Sequence, residues 1–231
     1  MFYFTFKDIN NKTLGLEVAT RPSIPAPVQR GEYIQIAGRD GSLLNTDGTY
    51  ENIEITVEMN TVSSRASLWN TNLRRAKNWL RGSGVLRFSD DPDVFFRVKA
   101  AGVGEVSRRA KRGGDFTAVF VCEPFTYYNA GTKEMTAQEA GFNPYYTCRP
   151  IYRITGNGTC TLTVNGKTMT ALVGQNLTID TEKLIAYRTD GTLQNTAVTG
   201  DYDDLILQPG ENTIAITNGF TLTVQPNYRS L

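Results

Sequence analysis

The residues best suited to chemistry are oxygen donors. Between Gly38 and Met59 the chain reads GRDGSLLNTDGTYENIEITVEM. If Gly48 is set at the sixth position of a calcium loop, Asn45 falls at position 3, Asp47 at 5 and Glu54 at 12. Position 1 is then Leu43, which offers no side-chain oxygen, and Glu54 lies inside a strand-like run. The stretch therefore reads as Gly-containing turns around Gly38, Arg39, Asp40, Gly41 and Gly48, leading through Tyr50 into a strand. No metal is expected there.

Other polar groups meet similar objections. Asp90, Asp91 and Asp93 cluster, as do Asp201, Asp203 and Asp204, but neither group has a partner acid that the sequence places nearby. A glycoside hydrolase needs two carboxyl groups about 5–10 Å apart, and the sequence nominates no such pair. Arg108, Arg109, Lys111 and Arg112 put four cations in five residues before Gly113-Gly114. That run reads as an exposed hairpin tip, a phosphate-binding loop or a charged contact to a neighbouring protein. Cys122, Cys148 and Cys160 are odd in number and lack CxxC spacing, so buried reduced thiols are expected rather than zinc ligands. Histidine is absent, which removes Ser-His-Asp and Cys-His catalysis and His-ligated metals together. No catalytic residue and no cofactor are predicted.

Length and charge set the frame. The 231 residues suffice for two domains of moderate size, and a formal charge of +1 asks for neither bulk nucleic acid nor a membrane surface. Residues 1–135 hold 18 Lys+Arg against 15 Asp+Glu, and residues 136–231 hold 6 against 8. The start, MFYFTFKDIN, lacks the basic flank and apolar core of a signal peptide, so a soluble, non-secreted chain is expected.

Alternation of apolar and polar residues dominates the elements. Phe2–Phe6, Leu14–Val18, Glu32–Ile36, Tyr50–Met59, Val85–Phe88, Val94–Val98 and Phe116–Cys122 read as strands, with Pro124 ending the last. One segment breaks the pattern. Trp69, Leu73, Ala76 and Leu80 recur at helical spacing, predicting a helix over about 64–81 with Ser63 or Ser64 as cap and Gly82 as stop. Residues 131–146 read as a linker. Beyond it, Asn165-Gly166 between Thr161–Val164 and Lys167–Thr170 is a hairpin signature. Recurring turns then suggest a β-sandwich. The expected division is 1–130, a linker at 131–146, and 147–231. A sugar-binding role for the last part would rest on tyrosines such as Tyr187 and Tyr202.

The order of phrases adds a resemblance. Gly15-Leu16-Glu17-Val18, the Pro-rich connector, Gly38-Arg39-Asp40-Gly41-Ser42-Leu43 and Gly48-Thr49-Tyr50 come first. Trp79-Leu80, the run Gly84 to Asp93 containing Asp91-Pro92, and Cys122-Glu123-Pro124-Phe125 follow. In this sequence they resemble the distal tail protein family of siphophages and prophages over about residues 14–128. The resemblance implies a mainly β fold: an N-terminal β-sandwich or barrel-like domain with one helix, and a C-terminal galectin-like sandwich. It implies a non-enzymatic virion component, made in the bacterial host cytoplasm and located at the tail tip or baseplate. There a hexameric ring joins the tail tube protein to the tail-associated hub protein and receptor-binding proteins. It implies no membrane partner, and nucleic acid only as passing phage DNA. The alternative is a carbohydrate-binding module recognising host cell-wall saccharide.

Overall fold

The computed structural model describes residues 2–62 and 65–231. It divides into two compact units, residues 1–126 with Leu231, and residues 127–230. Both are built mainly from strands, with one α-helix among the described residues. No described helix is long and apolar enough to cross a membrane.

The first unit contains β1 (Phe4–Phe6), β2 (Ile9–Asn10), β3 (Glu17–Val18), β4 (Gln29–Gln35), β5 (Ser42–Tyr50) and β6 (Ile53–Val62). After these come α1 (Ala66–Trp79), β7 (Gly82–Phe88), β8 (Val94–Ala110) and β9 (Gly113–Tyr128). Its main sheet runs in the order β2-β1-β7-β8-β9-β6-β3. Alternation positions the strands as expected: Ile53, Ile55, Val57 and Met59 are buried on β6, while Glu54, Thr56 and Glu58 are exposed. Each fully buried side chain of this kind is worth roughly 1.5–3 kcal/mol. The helix lays Trp69, Ala76, Trp79 and Leu80 on the interior. Trp79 stacks on Phe4 with ring centroids 5.4 Å apart, and its indole N–H donates to the Phe6 carbonyl at 3.0 Å. An aromatic core is thereby tied to β1 by a satisfied polar group.

Several boundaries differ from expectation. The helix is shorter than 64–81. Its expected caps, Ser63 and Ser64, lie outside the described residues, and Arg65 holds the cap position with extended backbone and no side-chain cap bond. Leu14 is not in a strand, because residues Asn11–Leu14 form a 3-10 turn. Asn11 organises that turn from inside the core, accepting from the Phe4 N–H at 2.9 Å and donating to the Leu16 carbonyl at 2.7 Å. The strand expected over Tyr50–Met59 is two strands broken at Glu51–Asn52. Pro124 does not end β9, which continues to Tyr128. The β6 ladder stops at the Ile53–Cys122 pair, so the missing proline N–H forfeits no bond to β6.

The second unit holds β10 (Met135–Thr136), β11 (Phe142–Asn143), β12 (Ile151–Val164), β13 (Lys167–Asp180) and β14 (Ile185–Tyr187). It continues through β15 (Val198–Thr199), β16 (Gly210–Glu211), β17 (Ile214–Ile216), β18 (Thr221–Gln225) and β19 (Arg229–Ser230). β12 and β13 pair along their whole lengths, from Ile151–Asp180 to Val164–Lys167. Asn165 at φ 50° and Gly166 at φ 79° make the predicted tight turn. The outer edge of β12 is shared: Ile151–Thr155 pairs with β18, and Leu162–Val164 pairs with β17. Residues 131–146, expected as a linker, instead carry β10, which pairs with β18, and β11, which pairs with β16. Tyr152, Ile154, Leu162, Val164, Met169 and Ile179 fill the core.

Candidate assembly interface

β4 and β5 form a two-stranded sheet of their own, outside the main sheet of the first unit. The register pairs Tyr33 with Leu44 and Ile34 with Leu43. Cross-strand partners project from the same side and neighbours along a strand from opposite sides. One face therefore carries Tyr33 and Leu44, and the other carries Ile34 and Leu43. All four are exposed, Tyr33 by 71%. Val28, at the hairpin base, is 68% exposed. An isolated two-stranded hairpin is marginal in water, and this one is apolar on both sides.

Local chemistry builds the hairpin. Gly31 lets the strands approach, since a Cβ there would stand 2.8 Å from the Asn45 carbonyl oxygen. Gly38 and Gly41 take positive φ at the tip, at 79° and 78°. The Arg39 N–H closes a turn onto the Ile36 carbonyl at 3.2 Å. Arg39 and Asp40 flank an open concavity at the tip with Gln35, Ile36 and Ser42. At the base, Arg30 Nε lies 2.8 Å from Glu51 Oε1; the hydrogen bond raises the Arg30 pKa and lowers that of Glu51. Both groups are exposed, so the pair orients the chain more than it stabilises it. Asp47 accepts from the Thr49 hydroxyl at 2.6 Å and the Thr49 N–H at 2.9 Å, which holds its carboxyl below the usual range. This carboxylate is occupied by its own turn. Among the described residues no group of three or more His, Cys, Asp or Glu could hold a metal.

The other quoted residues take distinct places. Leu43 is on the hairpin, Gly48 takes φ 79° within β5 where the β4–β5 register shifts between Gln29 and Gly31, and Tyr50 meets the Phe125 ring edge-on at 6.0 Å. Trp79 and Leu80 are core residues. Asp91 and Pro92 lie in the β7–β8 turn, where Arg21 reaches Asp90 at 3.7 Å. Cys122 is buried, and burial pushes its thiol up to about 12. Cys148 is likewise pushed up to about 12, so neither thiol is a nucleophile at neutral pH.

Arg108, Arg109, Lys111 and Arg112 sit at the β8–β9 tip. Arg108 stacks over Trp69 at 5.0 Å and donates to the Lys111 carbonyl at 2.7 Å, while Arg109 pairs with Asp115. Tyr187 is half-buried on β14, where it bridges Leu193. Tyr202 opens a 3-10 turn, and its buried hydroxyl has no hydrogen-bond partner among the described residues. Among the described residues no ring contact or hydrogen bond joins these two tyrosines into a platform.

The two-sided character of the hairpin was missed in reading Glu32–Ile36 as ordinary alternation. The signal lay in adjacent apolar pairs, Tyr33-Ile34 and Leu43-Leu44, which place apolar groups on both faces of a strand.

Known proteins agree with this architecture. The family model of the phage tail protein RIFT-related domain matches residues 5–122, just over half of the chain. The crystal structure of the phage SPP1 Dit (gp 19.1) protein, described as a paradigm of the hub adsorption apparatus in Gram-positive infecting phages, is similar throughout. The match covers 100% of both chains with a TM-score of 0.69 and 15% sequence identity. No curated protein sequence matches the chain. A RIFT-related domain over just over half of the chain identifies it as a member of the phage tail protein RIFT-related domain family, and its fold is that of the SPP1 Dit protein along the whole chain.

Proposed function

We propose that this protein is a structural, non-enzymatic component of the phage tail tip, where six copies close into a ring. The ring joins the tail tube protein to the tail-associated hub protein and to receptor-binding proteins, with phage DNA passing through its centre. The protein is made in the host cytoplasm and ends in the virion. The observation that carries this reading is the β4–β5 hairpin, an exposed pair of strands with apolar side chains on both faces. In a closed ring one patch meets a different patch of the neighbour, and such an interface covers an arm that a single copy leaves in water. The fold shared with a hub protein supports the same role.

The test is a pair of polar substitutions, one per face: Ile34→Asn with Leu43→Asn, and Tyr33→Ser with Leu44→Ser. Each pair should abolish ring formation, measured by light scattering and negative-stain imaging, while unfolding of the monomer is unchanged. Rings that form at wild-type concentration from both variants would contradict the proposal.

A further inference from the structure

The main sheet of the first unit has its core on one side and carboxylates on the other. Ile55, Val57 and Met59 of β6 share a core cluster with Ala76, Trp79 and Leu80 of α1. Glu54 and Glu58 alternate with the buried residues of β6 and are exposed on its outward side. Glu17 is the cross-strand partner of Asn60, so it joins the same side. Glu58, Glu105 and the Asp115–Arg109 pair line an open concavity of about 480 Å³ there. Of the cations on β8, Arg97 and Arg109 pair with Glu123 and Asp115, and Arg108 turns to Trp69. That leaves Lys99 against Glu17, Glu54, Glu58 and Glu105, and none of these four carboxylates makes an ion pair among the described residues. The helix carries the opposite set. Arg74, Arg75, Lys77 and Arg81 are exposed on α1 or just past its end, and they too make no ion pair among the described residues. From Met59 to Ser89 the chain contains no Asp or Glu, so α1 has no acid of its own for them. One core separates the two sets, and a single copy leaves both unmatched.

We propose that the carboxylate face of the sheet is the docking surface for α1 of a second copy of this chain. The inference rests on the ring reading above and names a contact within it. A closed ring needs two different patches on each subunit that fit one another, one for each neighbour. The cations of α1 and the carboxylates of β3, β6 and β8 are such a pair, of opposite sign and on opposite sides of one core. Each copy brings both halves in equal number, four cations and four carboxylates, so the match repeats at every junction. Arg binds carboxylates through paired hydrogen bonds, and the concavity beside Glu58 and Glu105 leaves room for its long side chain. The exposed β4–β5 hairpin supplies apolar area to assembly, and the charges select which face meets which.

The experiment is a charge swap in the full chain. One variant reverses the sheet face, Glu58→Lys with Glu105→Lys; a second reverses the helix, Arg75→Glu with Lys77→Glu; a third carries all four changes. A control, Asp93→Lys with Glu211→Lys, makes the first variant's charge change away from both faces. Circular dichroism checks that each folds. Assembly is followed by light scattering over a range of concentrations, at low and high salt, alone and with tail tube protein, and negative-stain images show the particle. Each single-face variant should need at least about tenfold more protein to assemble, and salt should weaken wild type more than either, as screened ion pairs require. The four-change variant should return to within about threefold of wild type, because the faces are coupled. The control should assemble as wild type. The proposal is overturned if either single-face variant assembles like wild type, if the four-change variant stays as weak as the single-face ones, or if the control is weakened as much. Closed rings indifferent to both faces would sink this inference and leave the ring reading standing. Swap-restored association into open chains would sink the ring reading and leave this contact standing. A wild type that stays a single chain throughout would overturn both.

Discussion

Two hairpins in this molecule obey the same local rules and end differently. β12–β13 joins two long strands through Asn165-Gly166, and its inward residues, Ile154, Leu162, Met169 and Ile179 among them, are buried. β4–β5 joins two shorter strands through a turn with positive-φ glycines, and every residue from Gln29 to Gln35 and from Ser42 to Thr49 is exposed. Turn chemistry and alternation produce a hairpin in either case. Only the first finds other strands and core side chains within its own unit. The second leaves apolar groups exposed on both faces, which the proposed ring would cover.

Substitutions can break this contrast. Leu162→Ala, in the buried hairpin, should destabilise the monomer by about 2–5 kcal/mol, while Leu43→Ala should stay within about 0.5 kcal/mol. Denaturant unfolding of each variant checks both. Equal losses would mean that β4–β5 is coupled to the core after all. Glycines sharpen the point, because Gly166 and Gly38 share φ 79° with open space around each. Gly166→Ala should lower stability by about 1–2 kcal/mol. Gly38→Ala should leave monomer unfolding unchanged and weaken assembly, since a hairpin that opens locally is not part of global unfolding. Tyr152→Phe removes the buried hydroxyl's bond to the Leu205 carbonyl at 2.7 Å and should cost about 1–2 kcal/mol.

The smallest effect concerns the thiols. Burial raises Cys122 and Cys148 from 9.0 to about 12, so the folded state holds these protons more tightly than the unfolded chain. Raising the pH through 9 toward 12 therefore favours unfolding. At pH 8 a thiol reagent should label neither cysteine in the folded protein and all three cysteines of the chain after denaturation. Rapid labelling of native Cys122 would show that the β9 core opens.

Much of the first unit was legible because its signal is local. Ile53-Glu54-Ile55-Thr56-Val57 alternates and does become a half-buried strand, and the Trp69-to-Leu80 spacing does become a helix. The distal half of β8 was not legible. Ala100 to Ala110 is small or charged, and it is extended because β9 pairs alongside it. β5 was read as loop since Asn45, Asp47 and Gly48 are turn formers, and only pairing with β4 makes them strand. The two-residue strands β10 and β11 are shorter than any periodicity. For the interface, the turns around Gly38 and Gly48 were readable, but exposure of Tyr33 and Ile34 is a property of the folded chain.

The most direct test is the mass of the purified protein in solution by light scattering, with negative-stain images of the same fraction. The account predicts a particle of six times the 25.6 kDa chain, with an open centre, alone or once tail tube protein is added. A single-chain mass at every concentration, unchanged by tail tube and hub proteins, would contradict it.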